Sequence, residues 1–442
     1  MLRNREMVAT KLQRIAEKAR KESGCRFTSL FHLMNEELLR ECFKELRKDA
    51  ASGIDKVTKK EYGKNLNENL KELVQKLHRM SYVPLPVRRV YIPKPGSSKK
   101  RPLGIPALED KLVQAGLTRI LSAIYEQDFI DDSYGFRPGR GCHDALRALS
   151  NEVEGCRVHY IVDADIKGFF DNVDHDWMIQ FLGHRIADKR VLRYVKRFLK
   201  AGIMEEGKAT ASDKGTPQGG IISPVLANIY LHYSLDLWFT RVFQKGCYGQ
   251  SRMIRYADDF VVCFENQADA IRFRKELDVR LSKFGLEISP EKTKTIEFGP
   301  YAQSKAKRRG GKAETVDFLG FTHYCSRSRN GRKFRMKRIT SSKKFTAKIR
   351  MFRDWLKANR TLPSDELMDK VASKLRGHFA YYGVTDNSKG INRFANEVRR
   401  LLFKWLNRRS QRGSMNWEKF HLFLKKYPLP CPRIMVNLFA SS

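Results

Sequence analysis

Two adjacent aspartates set between two apolar runs constrain this chain more than any other stretch. Arg255-Tyr256-Ala257-Asp258-Asp259-Phe260 is preceded by Met253 and Ile254 and followed by Val261, Val262, Cys263 and Phe264. β-Branched and aromatic runs on either side of a polar pair predict two strands joined by a tight turn, with both carboxylates at its tip. Side by side, two such charges repel by roughly 4 kcal/mol at about 4 Å in an effective dielectric near 20. Water at a solvated turn relieves that repulsion; a divalent cation relieves it and makes it useful. Taken alone, an Asp-Asp pair reads as an ordinary solvated turn. The choice depends on the rest of the chain.

The chain has 442 residues, enough for two or three domains and a sizeable core. Its 86 Lys and Arg against 49 Asp and Glu give a net charge of +37. No compact fold gains from that self-repulsion, so a polyanionic partner is expected. A surface contacting six to ten phosphates loses about three to five decades of affinity between 50 and 200 mM salt. The basic residues are interleaved with aromatic and aliphatic ones, which favours a folded nucleic-acid channel over a disordered arm. The eight cysteines are scattered, with no C-x2-C pair, which argues against a zinc ribbon or zinc-bearing nuclease module. With no secretory segment and no 18-residue apolar run, the chain reads as cytosolic, reduced and without a membrane partner.

In chain order, residues 1–20 are basic and helix-compatible. Residues 30–46 carry apolar residues at helical spacing, and a second helix follows with Leu66, Leu70, Leu73, Val74 and Leu77 on one face. These helices read as scaffold. Residues 87–92 predict a strand, 94–101 a basic Gly/Ser turn and 102–106 a return strand. Such a hairpin is either a phosphate clamp or a solvated basic turn. Residues 109–125 predict a helix, and 132–141 a loop whose arginines lie beside aromatic rings, a setting for nucleotide stacking and phosphate contact.

The run 159–162 predicts a short buried strand followed by Asp163, Asp165 and Asp171. A carboxylate at the end of a buried strand is costly without a counter-ion. Asp165 together with the Asp258-Asp259 turn supplies the parts of a two-metal site, for which Mg²⁺ is suited. Asp163 reads better as a helix N-cap or surface turn. Gly215-Thr216-Pro217-Gln218-Gly219-Gly220 is a tight loop, and Pro224 opens a helix running to Leu237. Glycine beside Gln218 lets backbone approach a flat partner, although Gly-Gly turns are common. Residues 268–284 predict a helix, 286–298 two strands about a turn, 301–311 a mobile basic segment, and 318–321 a short strand pair. Residues 301–360 hold 19 Lys or Arg against 3 Asp or Glu, the place expected for a nucleic-acid duplex. From Ser341 onward three apolar stripes predict an all-helical region, with Arg399, Arg400, Arg408, Arg409 and Arg412 on its surface. Residues 428–432 are a rigid non-helical tail.

The order of these features resembles a palm polymerase, and the text closely resembles the reverse transcriptases, or maturases, encoded by bacterial group II introns. The matching stretches are Ser52-Gly53-Ile54-Asp55, Ile92-Pro93-Lys94, Arg101 through Pro106, Ser133 through Arg140, Asp165 through Asp171, Gly215 through Gly220, Tyr256 through Asp259, Glu291 through Lys294, and Phe318 through Phe321. The resemblance implies an α+β right-hand polymerase. Residues 1–80 would be an N-terminal extension and the start of the fingers, 81–335 fingers and palm, 336–405 an all-α thumb or maturase domain, and 406–442 a basic, DNA-binding-like segment.

It implies that Asp165, Asp258 and Asp259 are catalytic and bind two Mg²⁺ ions. Lys94 and Arg101 would hold the incoming deoxynucleoside triphosphate. Phe170 rather than Phe169 would exclude a ribose 2′-hydroxyl, Gln218 and Gly219 would line the nascent base pair, and Lys292 would give a proton to pyrophosphate. The implied activity is RNA-directed DNA synthesis in the bacterial cytoplasm on an RNA template with a DNA primer. The implied partners are the intron RNA, for splicing and retrohoming, and target DNA. Many relatives append an endonuclease with paired CxxC motifs; this sequence carries none before Ser442, so priming from single-stranded DNA or another nick is expected. The alternatives are a splicing maturase that does not polymerise, or a host enzyme of defence or repair.

Overall fold

The computed structural model describes residues 2–93, 100–155, 157–205, 208–210, 213–216, 218–328, 330–409 and 413–439. Along the chain the strands are β1 (Val87–Pro93), β2 (Lys100–Ile105), β3 (Tyr160–Asp165), β4 (Ile203–Glu205), β5 (Lys208–Thr210), β6 (Ser251–Tyr256), β7 (Asp259–Phe264), β8 (Lys294–Glu297), β9 (Thr315–Phe318), β10 (Phe321–Arg327) and β11 (Phe334–Thr340). They form three sheets, ordered β2-β1-β4-β5, β6-β7-β3-β8 and β11-β10-β9. Helices pack on the β6-β7-β3-β8 sheet, and the chain after β11 is helical apart from its tail, so the class is α+β.

The β6-β7-β3-β8 sheet is the floor of the molecule. All its pairings are antiparallel, and β3 is central, with Ile161 opposite Cys263 on one side and Ile296 on the other. Side chains alternate between faces along a strand. Val162, Ala164, Phe260, Val262 and Phe264 join a core shared with the helices 108–125 and 223–231. Ile161, Val261 and Cys263 join a second core shared with β9–β11 and the C-terminal helices. Both faces are covered, which is why β7 reads as an unbroken apolar run and not as an alternation.

Several segments differ from the sequence expectation. The helix expected over 30–46 is split into a short turn, Phe31–Leu33, and a helix, Glu36–Glu45, because the Asn35 side chain accepts from Leu38 N at 3.0 Å and caps the second piece. Asp163 is neither cap nor turn; it lies within β3, opposite Val261 and Lys294. The first strand expected over 286–298 is reduced to a single bridge, Ile166 to Ile288, with β8 following. The 301–311 segment holds a helix, Ala302–Arg308. Glu297 on β8 anchors it by ion pairs with Lys305, at 2.9 Å, and Arg309. The helix from Ser223 ends at Leu231 and continues as wider π turns through Phe243.

The C-terminal helices Ser342–Asn359, Ser364–Tyr382, Ser388–Leu406 and Trp417–Lys426 bury Phe352, Leu356, Val371, Leu375, Phe379, Phe394, Val398 and Leu402 among themselves and against β9–β11. Among the described residues no helix is long and apolar enough to cross a membrane. The fully buried Asn387 clasps this unit to the sheet. Its Oδ1 accepts from Thr340 N at 2.8 Å, and its Nδ2 donates to Thr340 Oγ1 at 2.9 Å and Tyr382 O at 2.8 Å. Removing the side chain strands the buried Thr340 N–H and leaves the Tyr382 carbonyl with Val384 N as its remaining donor. Asn387→Ala is therefore expected to destabilise the protein by about 2–4 kcal/mol in urea denaturation. A loss under about 0.5 kcal/mol, the range of an ordinary surface change, would contradict the clasp.

Candidate active site

The turn between β6 and β7 contains Ala257 and Asp258, with Tyr256 paired to Asp259. Ala257 has φ 57°, an unfavourable region for a residue with a Cβ. The strain is held from beneath. Arg255, fully buried, donates from Nη1 to the Ala257 carbonyl at 2.9 Å and to Asn228 Oδ1 at 3.1 Å, and from Nε to Asp236 Oδ1 at 2.8 Å. Asp236 is also fully buried. Asn228 Nδ2 in turn donates to the Gly135 carbonyl at 2.7 Å. Gly135 lies against the turn so closely that a Cβ there would sit 2.2 Å from Ala257 N.

These supports come from two features of the local sequence. Strand alternation turns Arg255 to the same side as Met253, away from the carboxylates. The π turn His232–Asp236, one residue wider than an α turn, precedes and contains the acid that meets it. Asn228, Asp236 and Gly135 were not among the sequence-derived site residues. The only signal for Asn228 and Asp236 is an amide and an acid inside the apolar run 225–237; Gly135 lies in the quoted stretch Ser133 through Arg140.

On the opposite face, Asp165 pairs directly with Asp259 across β3 and β7, and Asp163 lies two residues back on the same side. Asp259 is reached by solvent from the cleft. It has protein mass on its other sides, and that surround, then the charges of Asp258 and Asp165, push its carboxyl up to about 7. Burial, then Asp259, Asp317 and Asp165, does the same for Asp163, also to about 7. Asp258 is raised by burial and by Asp165, against the pull of its own backbone N–H and of Arg101. Asp165 is instead engaged by Lys292, whose Nζ lies 2.6 Å from Oδ2. Lys344 at the start of the helix Ser342–Asn359 also bears on Asp259, as does the Leu319 backbone N–H.

The donor set fits a hard divalent cation: carboxylate oxygens, crowded, open to solvent on one side and raised for want of positive charge. Among the described residues no three such side chains already close into a metal-holding cluster. The Lys292 ammonium occupies one oxygen of Asp165 in this arrangement.

A cavity of about 310 Å³ is lined by Val87, Arg89, Gly104, Phe170, Asp171 and Gln218; it is linked to the carboxylates through the chain, Phe170 lying five residues beyond Asp165. Phe169 is 2% exposed and stacks edge-on with Phe170 at 5.3 Å, so Phe169 is a core residue and Phe170 the one that lines the cavity. The loop bearing Gln218 is pressed onto β2. Gly104 N donates to Gln218 O at 2.6 Å, and Gly219, at φ 112°, leaves no room for a Cβ, which would lie 2.7 Å from Gly104 O. Gln218 Nε2 reaches Asp171 Oδ1 at 3.5 Å. Arg101 is exposed on β2; Lys94 lies outside the described residues. A larger cavity, about 900 Å³, opens between the helix Gln267–Ser282 and β8; unlike the smaller one it contains neither Phe170 nor Gln218.

Comparison with known proteins follows the same division. Residues 92–323 match the reverse transcriptase (RNA-dependent DNA polymerase) family, and residues 342–423 match the group II intron maturase-specific domain. The chain is 32% identical over 399 residues to the group II intron-encoded protein LtrA of Lactococcus lactis subsp. cremoris, an alignment covering 74% of this chain and 65% of that protein. It is 36% identical over 251 residues to protein YkfC of Escherichia coli (strain K12), covering 50% of this chain and 66% of the relative. The matched region thus spans just under two thirds of the length of each of these relatives.

The support under the turn is testable by itself. Arg255→Met leaves the Asp236 charge buried and unpaired, which is expected to cost about 3–5 kcal/mol in urea denaturation. Arg255→Met/Asp236→Leu removes both charges and is expected to recover most of that loss. A double variant no more stable than the single one would contradict the ion pair as the origin of the cost.

Proposed function

The chain belongs to the reverse transcriptases that carry a group II intron maturase-specific domain, and on that premise we propose that it extends a DNA primer on an RNA template. The observation that carries this reading is the register of the floor sheet. It brings Asp165 opposite Asp259, one residue from Asp258, and Phe170, five residues beyond Asp165, lines a cavity together with Gln218.

In this reading Asp165, Asp258 and Asp259 hold two Mg²⁺ ions. Bound there, the ions would supply charge neutralisation and activation of the attacking oxygen in nucleotidyl transfer. The protein's own part is positioning. Lys94 and Arg101 clamp the triphosphate of the incoming deoxynucleotide. Gln218 and Gly219 bring backbone and amide against the nascent base pair. The Phe170 ring fills the space a 2′-hydroxyl would need. Lys292, released from Asp165, carries a proton to the pyrophosphate leaving group. Residues 1–80 act as N-terminal extension and start of the fingers, 81–335 as fingers and palm, 336–405 as thumb, and 406–442 as a basic DNA-contacting segment.

The maturase-specific match over 342–423, together with the few acids among the cations of 301–360, favours a second role in the same chain. That role is binding the intron RNA to assist splicing and, with target DNA, retrohoming. The bacterial relatives favour a cytoplasmic setting.

Primer extension on poly(rA)/oligo(dT) with Mg²⁺ and dTTP tests the polymerase. Asp258→Ala is expected to lower the rate on the order of 10³-fold or more while leaving the fold intact. Absence of synthesis by folded wild type across salt and Mg²⁺ would sink the reading and leave an RNA-binding splicing factor. Retention of splicing support by Asp258→Ala/Asp259→Ala would separate the two roles. In the same assay Phe170→Ala is expected to raise ribonucleotide incorporation relative to deoxynucleotide by about tenfold or more, from the volume it frees. An unchanged ratio would remove Phe170 from sugar selection.

A further inference from the structure

The helix Lys189–Lys200 takes no part in the chemistry described so far. Its buried side is Val191, Tyr194, Val195, Phe198 and Leu199. Its exposed side carries Lys189, Arg193, Lys196 and Lys200, spaced one helical turn apart, and the helix contains no acid. Lys196 pairs with Asp176 at 3.5 Å, but that pair is solvent-exposed and contributes about 0–1 kcal/mol, which a phosphate can displace. A row of cations repels itself and adds nothing to the fold.

Facing this row is a strap, residues 80–86, fixed at several points. Arg197 Nη1 donates to the carbonyls of Met80 at 2.9 Å and Tyr82 at 2.7 Å. The Tyr82 hydroxyl donates to Asp110 at 2.6 Å, and Leu85 N donates to the same carboxylate at 3.2 Å. So held, the strap buries Pro84 and turns outward Val83, 69% exposed, and Leu85, 41% exposed. Helix and strap enclose a groove of about 580 Å³, with Val83, Pro84 and Pro86 on one wall and Arg193, Lys196 and Lys200 on the other. A wall for bases opposite a wall for phosphates suits a single strand. A duplex turns its bases inward and has no use for the apolar side.

The groove leads to the site. Pro86 continues into β1 at Val87, and Ala201 at the helix end continues into β4 at Ile203, with Val87 N donating to Gly202 O at 3.1 Å. Val87 and Ile203 are themselves walls of the cavity that holds Phe170 and Gln218. Both walls of the groove therefore continue along the chain into the paired residues Val87 and Ile203 that line the cavity.

We propose that this groove carries the single-stranded template ahead of the templating base. The proposal rests on the polymerase reading above and adds to it the route by which the template enters. The test is equilibrium binding of the full chain, by fluorescence anisotropy, to two primer–templates. One is blunt at the templating end and the other has a 5′ template overhang of about eight nucleotides.

Wild type is expected to bind the overhang substrate about tenfold tighter. Arg193→Ser/Lys196→Ser/Lys200→Ser should lose that gain with blunt-end affinity unchanged. Its salt slope on the overhang substrate should fall by about 2, three phosphates at roughly 0.7 each. Arg197 is left in place because it holds the strap. Val83→Asp, which puts a negative charge on the apolar wall, should lose the same gain without removing a cation.

An overhang gain kept by both variants, or an equal loss on both substrates, would overturn the proposal. So would equal binding of the two substrates by wild type, with the polymerase reading intact. Binding of neither substrate by wild type would overturn that reading as well.

Discussion

One buried ion pair governs the geometry of the site. Arg255 and Asp236 are both removed from solvent, and a pair so placed contributes little to net stability, because desolvating two charges offsets their attraction. What it supplies is position. The same guanidinium that satisfies Asp236 also reaches the Ala257 carbonyl, so a left-handed residue in a two-residue turn is held from below by a group that cannot rotate away without stranding a charge. Above the turn, Asp258 and Asp259 face each other's repulsion with only partial relief. A loosely supported turn would ease that repulsion by splaying the carboxylates apart. The arginine beneath keeps them crowded, and crowding is what makes them demand a cation.

The sheet transmits this constraint to the C-terminal helices. β9 and β10 meet at Leu319 and Gly320, with φ 49° and 81°, next to Asp259. Tyr381 donates its hydroxyl to the Leu319 carbonyl at 2.9 Å, and His143 Nε2 lies 2.9 Å from the Tyr381 carbonyl. With Asn387 bonded to Thr340 and Tyr382, the helix Ser364–Tyr382 and the residue that leads into the next helix are tied to β9–β11 by directional contacts as well as apolar packing.

Much of this was legible in the sequence where a local rule had no competitor. Apolar runs about a polar pair specified the β6–β7 hairpin, and the 87–106 hairpin and the C-terminal helices followed from periodicity and turn residues. Legibility failed where a distant partner decided the outcome. Asp163 reads as a cap because an acid in a buried strand is costly; only the neighbouring acids at 165, 259 and 317 show that the cost is borne inside one electrostatic cluster. The 302–308 helix is polar and basic, and no local signal reveals that Glu297 will anchor it. Asp236 shows only as an acid inside an apolar run, because its meaning lies in an arginine 19 residues later and in a π turn that periodicity cannot reveal.

The strand order β6-β7-β3-β8 also has a temporal side. β3, the central strand, is made early, and every strand it pairs with comes later: β7 about 100 residues on, β8 later still. At synthesis rates of about 5–20 residues per second, Tyr160–Asp165 waits roughly 5–20 s for its first neighbour. During that interval a short Ile-Val strand has both edges open, the state most exposed to mispairing. One helix for each of its faces is made by then: 108–125, in the core with Val162 and Ala164, and 142–155, in the core with Ile161, both precede it. The order of elements along the chain thus resembles a ribosomal safeguard: the vulnerable strand emerges between helices that can shield part of each face until its partners arrive.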